Sequence, residues 1–286
     1  MSTELDDRLY VASSGPSSAN ACRVIVGNSC GSGSVVGHHL EGSLVLTNAH
    51  VAGTRLGTTA TCRFSINGQD KEVKGKIILA AYSDSTLTDW CILYLDGFKE
   101  IKPVKLSKKR PNGSHYTTGC PRCVWPMRHQ TLRTTSLSDN SALWRWQPNA
   151  IGGQSGSAVW SQADHLQYGL LTWSWGGDGA GQMTSEIYKQ STLRAISAEP
   201  RPEGLIELND RGVVVENGFF CETGIDELPI WAEDTPGPGP GPGPGPGPGP
   251  GPGPDPNPTS YKVEIEVEDL SKIKVNGKPI VDFTLL

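Results

Sequence analysis

The sequence predicts an all-β chain whose strands fall into two units, followed by one helix and a tethered tail. Three observations carry this. Apolar runs are short and rich in Val, Ile and Leu. Gly, Asn and Ser recur between them as turn signals. No apolar pattern of helical period appears before residue 185.

Residues 1–20 are polar, with Ser13-Ser14-Gly15-Pro16-Ser17-Ser18, and read as a loose arm. Strand-like runs then follow at Arg23–Val26, Gly33–Gly37, Ser43–Thr47, Thr61–Ile66, Val73–Tyr82 and Trp90–Leu95. These make the first unit, over residues 21–100. Residues 101–115 are charged and turn-rich, with Lys108-Lys109-Arg110-Pro111-Asn112-Gly113, and read as a connection. The second unit, 116–198, holds expected strands at 116–119, 130–137, 142–147, 156–160 and 167–175. It ends in a helix at 184–197, whose apolar face is Ile187, Leu193 and Ile196 and whose cap is Thr184 or Ser185.

An extension follows over 199–235. Its segment Gly212–Phe220 reads as a hairpin turning at Asn217-Gly218. Pro and Gly then alternate strictly from Pro236 to Pro254, within a linker spanning 236–258. Collagen requires glycine at every third residue, so a period of two predicts a semi-extended leash instead. Residues 259–286 form a small β tail, with Val263, Ile265 and Val267 alternating with charged residues and a second hairpin expected around Asn276-Gly277. So short a module cannot bury a core of its own. It is expected to complete its fold on another surface, such as a protein partner.

Composition narrows the partners. Lys and Arg number 25 against 30 Asp and Glu, with no strongly basic block, so nucleic acid is not an expected partner. No apolar run approaches the ~18 residues of a membrane span. The start, Met1-Ser2-Thr3-Glu4-Leu5-Asp6-Asp7-Arg8, is acidic and lacks the form of a secretory signal, so the chain is expected to begin in a cytoplasm. Seven cysteines in a reducing compartment are expected to be mostly free thiols. Cys120-Pro121-Arg122-Cys123 has the spacing of a redox or zinc half-site. It lacks a matching second pair, so a packed thiol pair is expected, with no metal and no cofactor.

The chemistry is expected at Gly152-Gly153-Gln154-Ser155-Gly156-Ser157-Ala158. A nucleophilic serine needs a backbone that turns sharply and offers N–H donors to a developing oxyanion, which glycine permits. The donors are placed at Gly153 and Ser155. By itself the stretch also fits a Gly/Ser-rich surface loop. Upstream, Leu44–Val51 runs from an apolar strand into His50, and Thr88–Leu95 puts Asp89 at the mouth of another strand. Asp84 and Asp96 rival Asp89, Ser157 rivals Ser155, and His38 and His39 read as surface residues.

The chain order His50, Asp89, Ser155 resembles that of the chymotrypsin-like (trypsin-like) serine proteases, over roughly residues 20–198. The resemblance implies two six-stranded antiparallel β-barrels with a C-terminal helix, followed here by the Pro-Gly linker and the β tail. It implies that His50 is the general base, Asp89 orients it, and Ser155 forms an acyl-enzyme on a polypeptide substrate. Leu171-Thr172-Trp173-Ser174-Trp175-Gly176 resembles the family strand that carries Ser-Trp-Gly and pairs with extended substrate. That implies substrate contacts at Ser174, Trp175 and Gly176, with Trp173 beside the pocket and Asn149 at its floor. A neutral Asn149 implies a small or medium uncharged residue on the acyl side of the cleaved bond.

Two departures from the common pattern matter. Gln154 stands where many members have Asp, which removes the carboxylate that answers N-terminal activation. Val51 follows His50 where many secreted members have cysteine. Both are similar to bacterial, viral and disulfide-poor branches. They suit an enzyme that its tail tethers to an assembly such as a viral or phage particle. The competing expectation is a protease-fold binding or scaffold protein without chemistry.

Overall fold

The computed structural model describes residues 11–12, 19–84, 86–137, 143–197, 205–207, 213–216, 228–233, 274–275 and 278–279. The chain divides into a unit of residues 1–234 and a unit of residues 235–286.

The first unit opens with a short strand β1 (Val11–Ala12). Six antiparallel strands follow: β2 (Ala21–Val26), β3 (Ser29–His39), β4 (Gly42–Thr47), β5 (Thr59–Ile66), β6 (Gln69–Ser83) and β7 (Thr88–Leu95). Their order is β6-β5-β2-β3-β4-β7, and β7 pairs back onto β6, which closes a barrel. Six more make a second barrel: β8 (His115–Gly119), β9 (Arg128–Leu137), β10 (Leu143–Gln147), β11 (Ala158–Ser161), β12 (Gln167–Trp175) and β13 (Asp178–Met183). Its order is β9-β10-β13-β12-β11-β8, closed by β8 on β9. Closure matters physically, because it leaves no unpaired strand edge within either barrel. A four-residue turn of helix, α1 (Ala49–Ala52), interrupts the first barrel, and α2 (Thr184–Ser197) follows the second.

The apolar runs look continuous because both faces of their strands are buried. Val35, Val45 and Leu93 point into one core with Cys22, Val24, Phe64 and Ile77. Their neighbours Val36, Leu44 and Ile92 face the other way and pack with Leu79, Trp90, Leu106 and Leu170. That outer layer is covered by Ile187 of α2 and by Leu228, Ile230 and Trp231. The last segment is fastened by backbone bonds, Leu106 N–H to Ile230 O at 2.7 Å and Ala232 N–H to Leu106 O at 2.8 Å. The second barrel has its own core of Trp144, Trp146, Val159, Leu171 and Met183.

Several expectations need correction. A whole strand, β13, went unpredicted because Asp178-Gly179-Ala180-Gly181-Gln182-Met183 reads as a turn. Its small residues are required by packing: a Cβ on Gly181 would lie 2.3 Å from the Leu170 carbonyl oxygen. The helical turn α1 was also unpredicted, being too short for any period to show. His38 and His39, read as surface residues, are half-buried at the end of strand β3. After α2, the hairpin joins β14 (Leu205–Glu207) to β15 (Val213–Glu216), so its turn precedes the expected Asn217-Gly218, which lies outside the described residues. β15 then pairs with β6. In the second unit, β16 (Lys274–Val275) pairs with β17 (Lys278–Pro279), with Asn276-Gly277 between them. The side chains of Leu193 and Ile196, the Pro-Gly linker and residues 259–273 lie outside the described residues.

Cysteine pairing differs most. Cys123 does not pair with Cys120; it forms a disulfide with Cys30, 93 residues away. Cys120 is a buried free thiol that donates to Val124 O at 3.0 Å, and burial pushes its pKa up to about 11. Cys22, Cys62 and Cys91 are free and buried too. Sequence spacing could not show this, because the bridge joins the two barrels.

Closing so long a loop constrains the unfolded chain strongly, by roughly 4–5 kcal/mol in the chain-entropy account. Replacing both cysteines (Cys30→Ser with Cys123→Ser) is expected to lower unfolding free energy by about 2–4 kcal/mol. Urea unfolding of oxidised wild type and the double variant checks this.

Candidate active site

The site begins with Asn48-Ala49-His50, where β4 ends and α1 starts. Asp89 lies on β7, which pairs directly with β4, so the two strands carry both residues to one end of the barrel. The Asp89 carboxylate is almost wholly buried and meets His50 twice. Oδ1 accepts the His50 backbone N–H at 2.9 Å, and Oδ2 pairs with His50 Nδ1 at 2.5 Å. The double contact fixes both the backbone and the ring. The His50 side chain is 38% exposed, against 3% for Asp89, so the ring's other edge reaches solvent. Among the described residues Nε2 has no hydrogen-bond partner.

A second layer holds Asp89. Asn48 Nδ2 donates to the Asp89 carbonyl at 2.7 Å and to Thr172 Oγ1 at 3.1 Å. The Asp89 N–H reaches Gln182 Oε1 at 3.4 Å, and Gln182 Nε2 donates to Gln190 Oε1 on α2 at 2.8 Å. Strand β13 and helix α2 thus stiffen the carboxylate from behind. The rivals lack such settings: Asp84 and Asp96 are exposed, and each accepts from the tyrosine two residues before it, Tyr82 and Tyr94.

Ser155 comes from the other barrel, on the loop before β11. Gly153 and Gly156 both have φ of +86°, a left-handed conformation that side chains resist. Space forbids a side chain at each as well. A Cβ on Gly153 would lie 2.4 Å from Cys120 O, and one on Gly156 would lie 2.0 Å from Ser32 O. The Gly-x-Ser-Gly spacing therefore follows from packing. Ser157 is fully buried against Gly119, out of reach of a peptide, whereas Ser155 is half-buried. Among the described residues no backbone acceptor takes the N–H of Gly153 or of Ser155. Both remain available to an incoming anion.

The Ser155 backbone and Val51, the residue after His50, both pack on Gly31. A Cβ at Gly31 would lie 2.7 Å from both Ser155 O and Val51 Cγ2, so the serine and the His50 turn share that space. The hydroxyl of Ser155 makes no hydrogen bond to His50 here. Such bonds commonly tighten only when substrate is bound.

Gln154 explains how the loop keeps its shape without a carboxylate. It is buried; its Oε1 accepts Ile151 N–H at 2.9 Å and its Nε2 donates to Gln130 Oε1 at 3.2 Å.

A cavity of about 210 Å³ opens beside Ser155. It is lined by Ala150, Ile151 and Gly152 on one side and Leu171, Thr172, Trp173 and Ser174 on the other. Trp173 and Ser174 are thus brought to Ser155; Asn149, Trp175 and Gly176 are not among its walls. Asn149 stands higher, its Oδ1 accepting from Ser174 Oγ at 2.8 Å. Trp175 is exposed, and Gly176 belongs to the turn into β13. Of the Ser-Trp-Gly triplet, Ser174 alone lines this cavity. Thr172, missed in the sequence, was signalled by the Gly176-Gly177 turn, which leaves only residues before it on the strand. Asn48 and Gln182 carried no local signal.

Gln154→Ala should leave Ile151 N–H and Gln130 without partners in a buried loop. A stability loss of about 1–3 kcal/mol is expected in denaturant unfolding, with Gln154→Glu no better than neutral at pH 7.

Residues 31–170 match the family described as trypsin-like peptidase domain. No curated protein sequence matches the chain. A Glu endopeptidase structure superposes with a TM-score of 0.50 at 12% identity, over 66% of this chain and 97% of that one. The serine endoprotease from Yersinia pestis gives 0.49 at 17% identity, over 62% of this chain and 63% of its own length. A scabies mite inactivated protease paralogue gives 0.49 at 15% identity, over 65% and 98%. At such identities the likeness is one of fold. With two closed six-stranded barrels and the family match across them, the chain carries a trypsin-like peptidase domain.

Proposed function

We propose that this protein is a serine endopeptidase. The observation that carries it is the pair of hydrogen bonds joining His50 to the buried Asp89 carboxylate, together with a serine loop that has two free N–H donors. In this mechanism His50 Nε2 takes the Ser155 proton as Oγ attacks a peptide carbonyl. Asp89 keeps Nδ1 protonated and stabilises the imidazolium formed. The carbonyl oxygen, now negative, receives the N–H groups of Gly153 and Ser155; a single such donor is worth about 3 kcal/mol to the transition state. His50 then protonates the leaving amine, and an acyl-enzyme on Ser155 remains for water to hydrolyse.

The substrate is a polypeptide. Its acyl-side residue enters the cavity between residues 150–152 and 171–174, whose walls carry no charge. The second part of the proposal is that residues 259–286 bind a protein partner through the Pro-Gly leash and so hold the enzyme on an assembly such as a viral or phage particle.

A fluorophosphonate probe should label wild type at Ser155 and leave Ser155→Ala unlabelled. Peptide hydrolysis by Ser155→Ala and His50→Ala is expected to fall by roughly 10⁴-fold or more in kcat. A folded wild type that the probe leaves untouched would be a silent scaffold. For the tail, pull-downs with the full chain and with a chain ending at residue 258 should recover different partners; identical sets would remove the anchoring role.

A further inference from the structure

The cavity beside Ser155 is small, about 210 Å³, and one fully buried side chain packs behind its wall. Two of its wall residues, Leu171 and Ser174, belong to β12, and their partners across the ladder are Gly181 and Gly179 of β13. Neither partner has a side chain. The space they leave is filled by the indole of Trp146, from β10 on the far side of β13. A Cβ at Gly179 would lie 2.6 Å from Trp146 Nε1 and 3.1 Å from the Ala150 backbone N. A Cβ at Gly181 would lie 2.7 Å from Trp146 Cη2. The ring therefore spans both glycines, against the strand that pairs with the cavity wall on β12. It clusters with Ala150 and Leu171, and Trp144 stacks on it edge-on with centroids 5.2 Å apart.

Trp146 Nε1, like those of Trp90 and Trp160, is buried without an acceptor among the described residues, whereas Trp144 Nε1 donates to Thr134 Oγ1 at 3.0 Å. Asn149, which the sequence placed at the floor, is not among the cavity's walls and accepts from Ser174 Oγ.

We infer that Trp146 is the specificity-determining residue of the cavity, a plug that restricts the acyl-side residue of the substrate to small uncharged side chains. This rests on the endopeptidase reading of Ser155. A plug acts by steric exclusion: alanine, serine or threonine ends against Ala150, whereas a ring or a long cation meets the indole behind the wall. Asn149 then has no part in selecting charge.

The test uses full-length protein and peptidyl diphenyl phosphonates that differ only in that residue (Ala, Val, Leu, Phe or Lys), with the rate of Ser155 modification read by mass spectrometry. The wild type is expected to react at least roughly tenfold faster with Ala than with Phe, Leu or Lys. Trp146→Phe and Trp146→Leu should each narrow or reverse the Ala-to-Phe ratio, while Asn149→Ala should leave it unchanged. Fastest reaction of the wild type with Phe, Leu or Lys would overturn the inference. So would folded Trp146 variants with an unaltered profile. If neither variant folds, the wild-type profile and Asn149→Ala decide it. A wild type inert to every phosphonate and to the simple fluorophosphonate overturns the endopeptidase reading, and this inference with it. A wild type that reacts but prefers large residues overturns the plug alone.

Discussion

Ser32 is the residue on which the geometry of both barrels converges. It lies fully buried on β3 and uses every polar group it has. Its N–H donates to Ser155 O at 2.7 Å and its Oγ to Gly153 O at 2.8 Å, while Oγ also accepts from Cys120 N at 2.9 Å. Its carbonyl accepts from Thr47 Oγ1 at 2.7 Å. One residue of the first barrel thus holds the serine loop of the second at two points and the Cys120 turn at a third, and ties itself to the strand that leads into His50. Buried polar groups satisfied this fully are rigid, because any displacement strands several of them at once. The absence of side chains at Gly31 and Gly156 lets the two backbones come this close.

From that contact the rest of the site follows in layers. The disulfide from Cys30 reaches the turn at Pro121–Cys123, two residues along β3 from Ser32. That turn supports the serine loop, since Arg122 N–H donates to Gly152 O at 2.6 Å. Gln154 braces the loop from within using neutral hydrogen bonds alone. On the opposite side, Asn48 and Gln182 hold Asp89, and Gln182 passes the restraint to α2. The parts most exposed to solvent, His50 and Ser155, are thus each backed by a buried polar network.

Local features were legible from the sequence. The apolar runs gave twelve barrel strands all but one, since β13 hid behind its glycines. His50, Asp89 and Ser155 stood out because each follows or precedes a distinctive run. What stayed hidden was long-range. Ser32 sits just ahead of the strand-like run Gly33–Gly37, among small residues that give no hint of its partners more than 80 residues away. The pairing of Cys30 with Cys123 was obscured by the nearer Cys120. Trp173 and Ser174 of the cavity wall were legible through the Ser-Trp-Gly resemblance, whereas Leu171 and Thr172 carried no signal of their own. Trp146 read only as core, since its role depends on two glycines of an unpredicted strand.

One consequence lies in the division of the reactive groups between the barrels. A chain is made from its N-terminus, so the base and its carboxylate are finished while the nucleophile is still unsynthesised. On the proposed chemistry, a half-made molecule on the ribosome is harmless to itself and to its neighbours. Its site is complete only when the second barrel closes and docks against β3, so the last strands to be made gate the chemistry of the first.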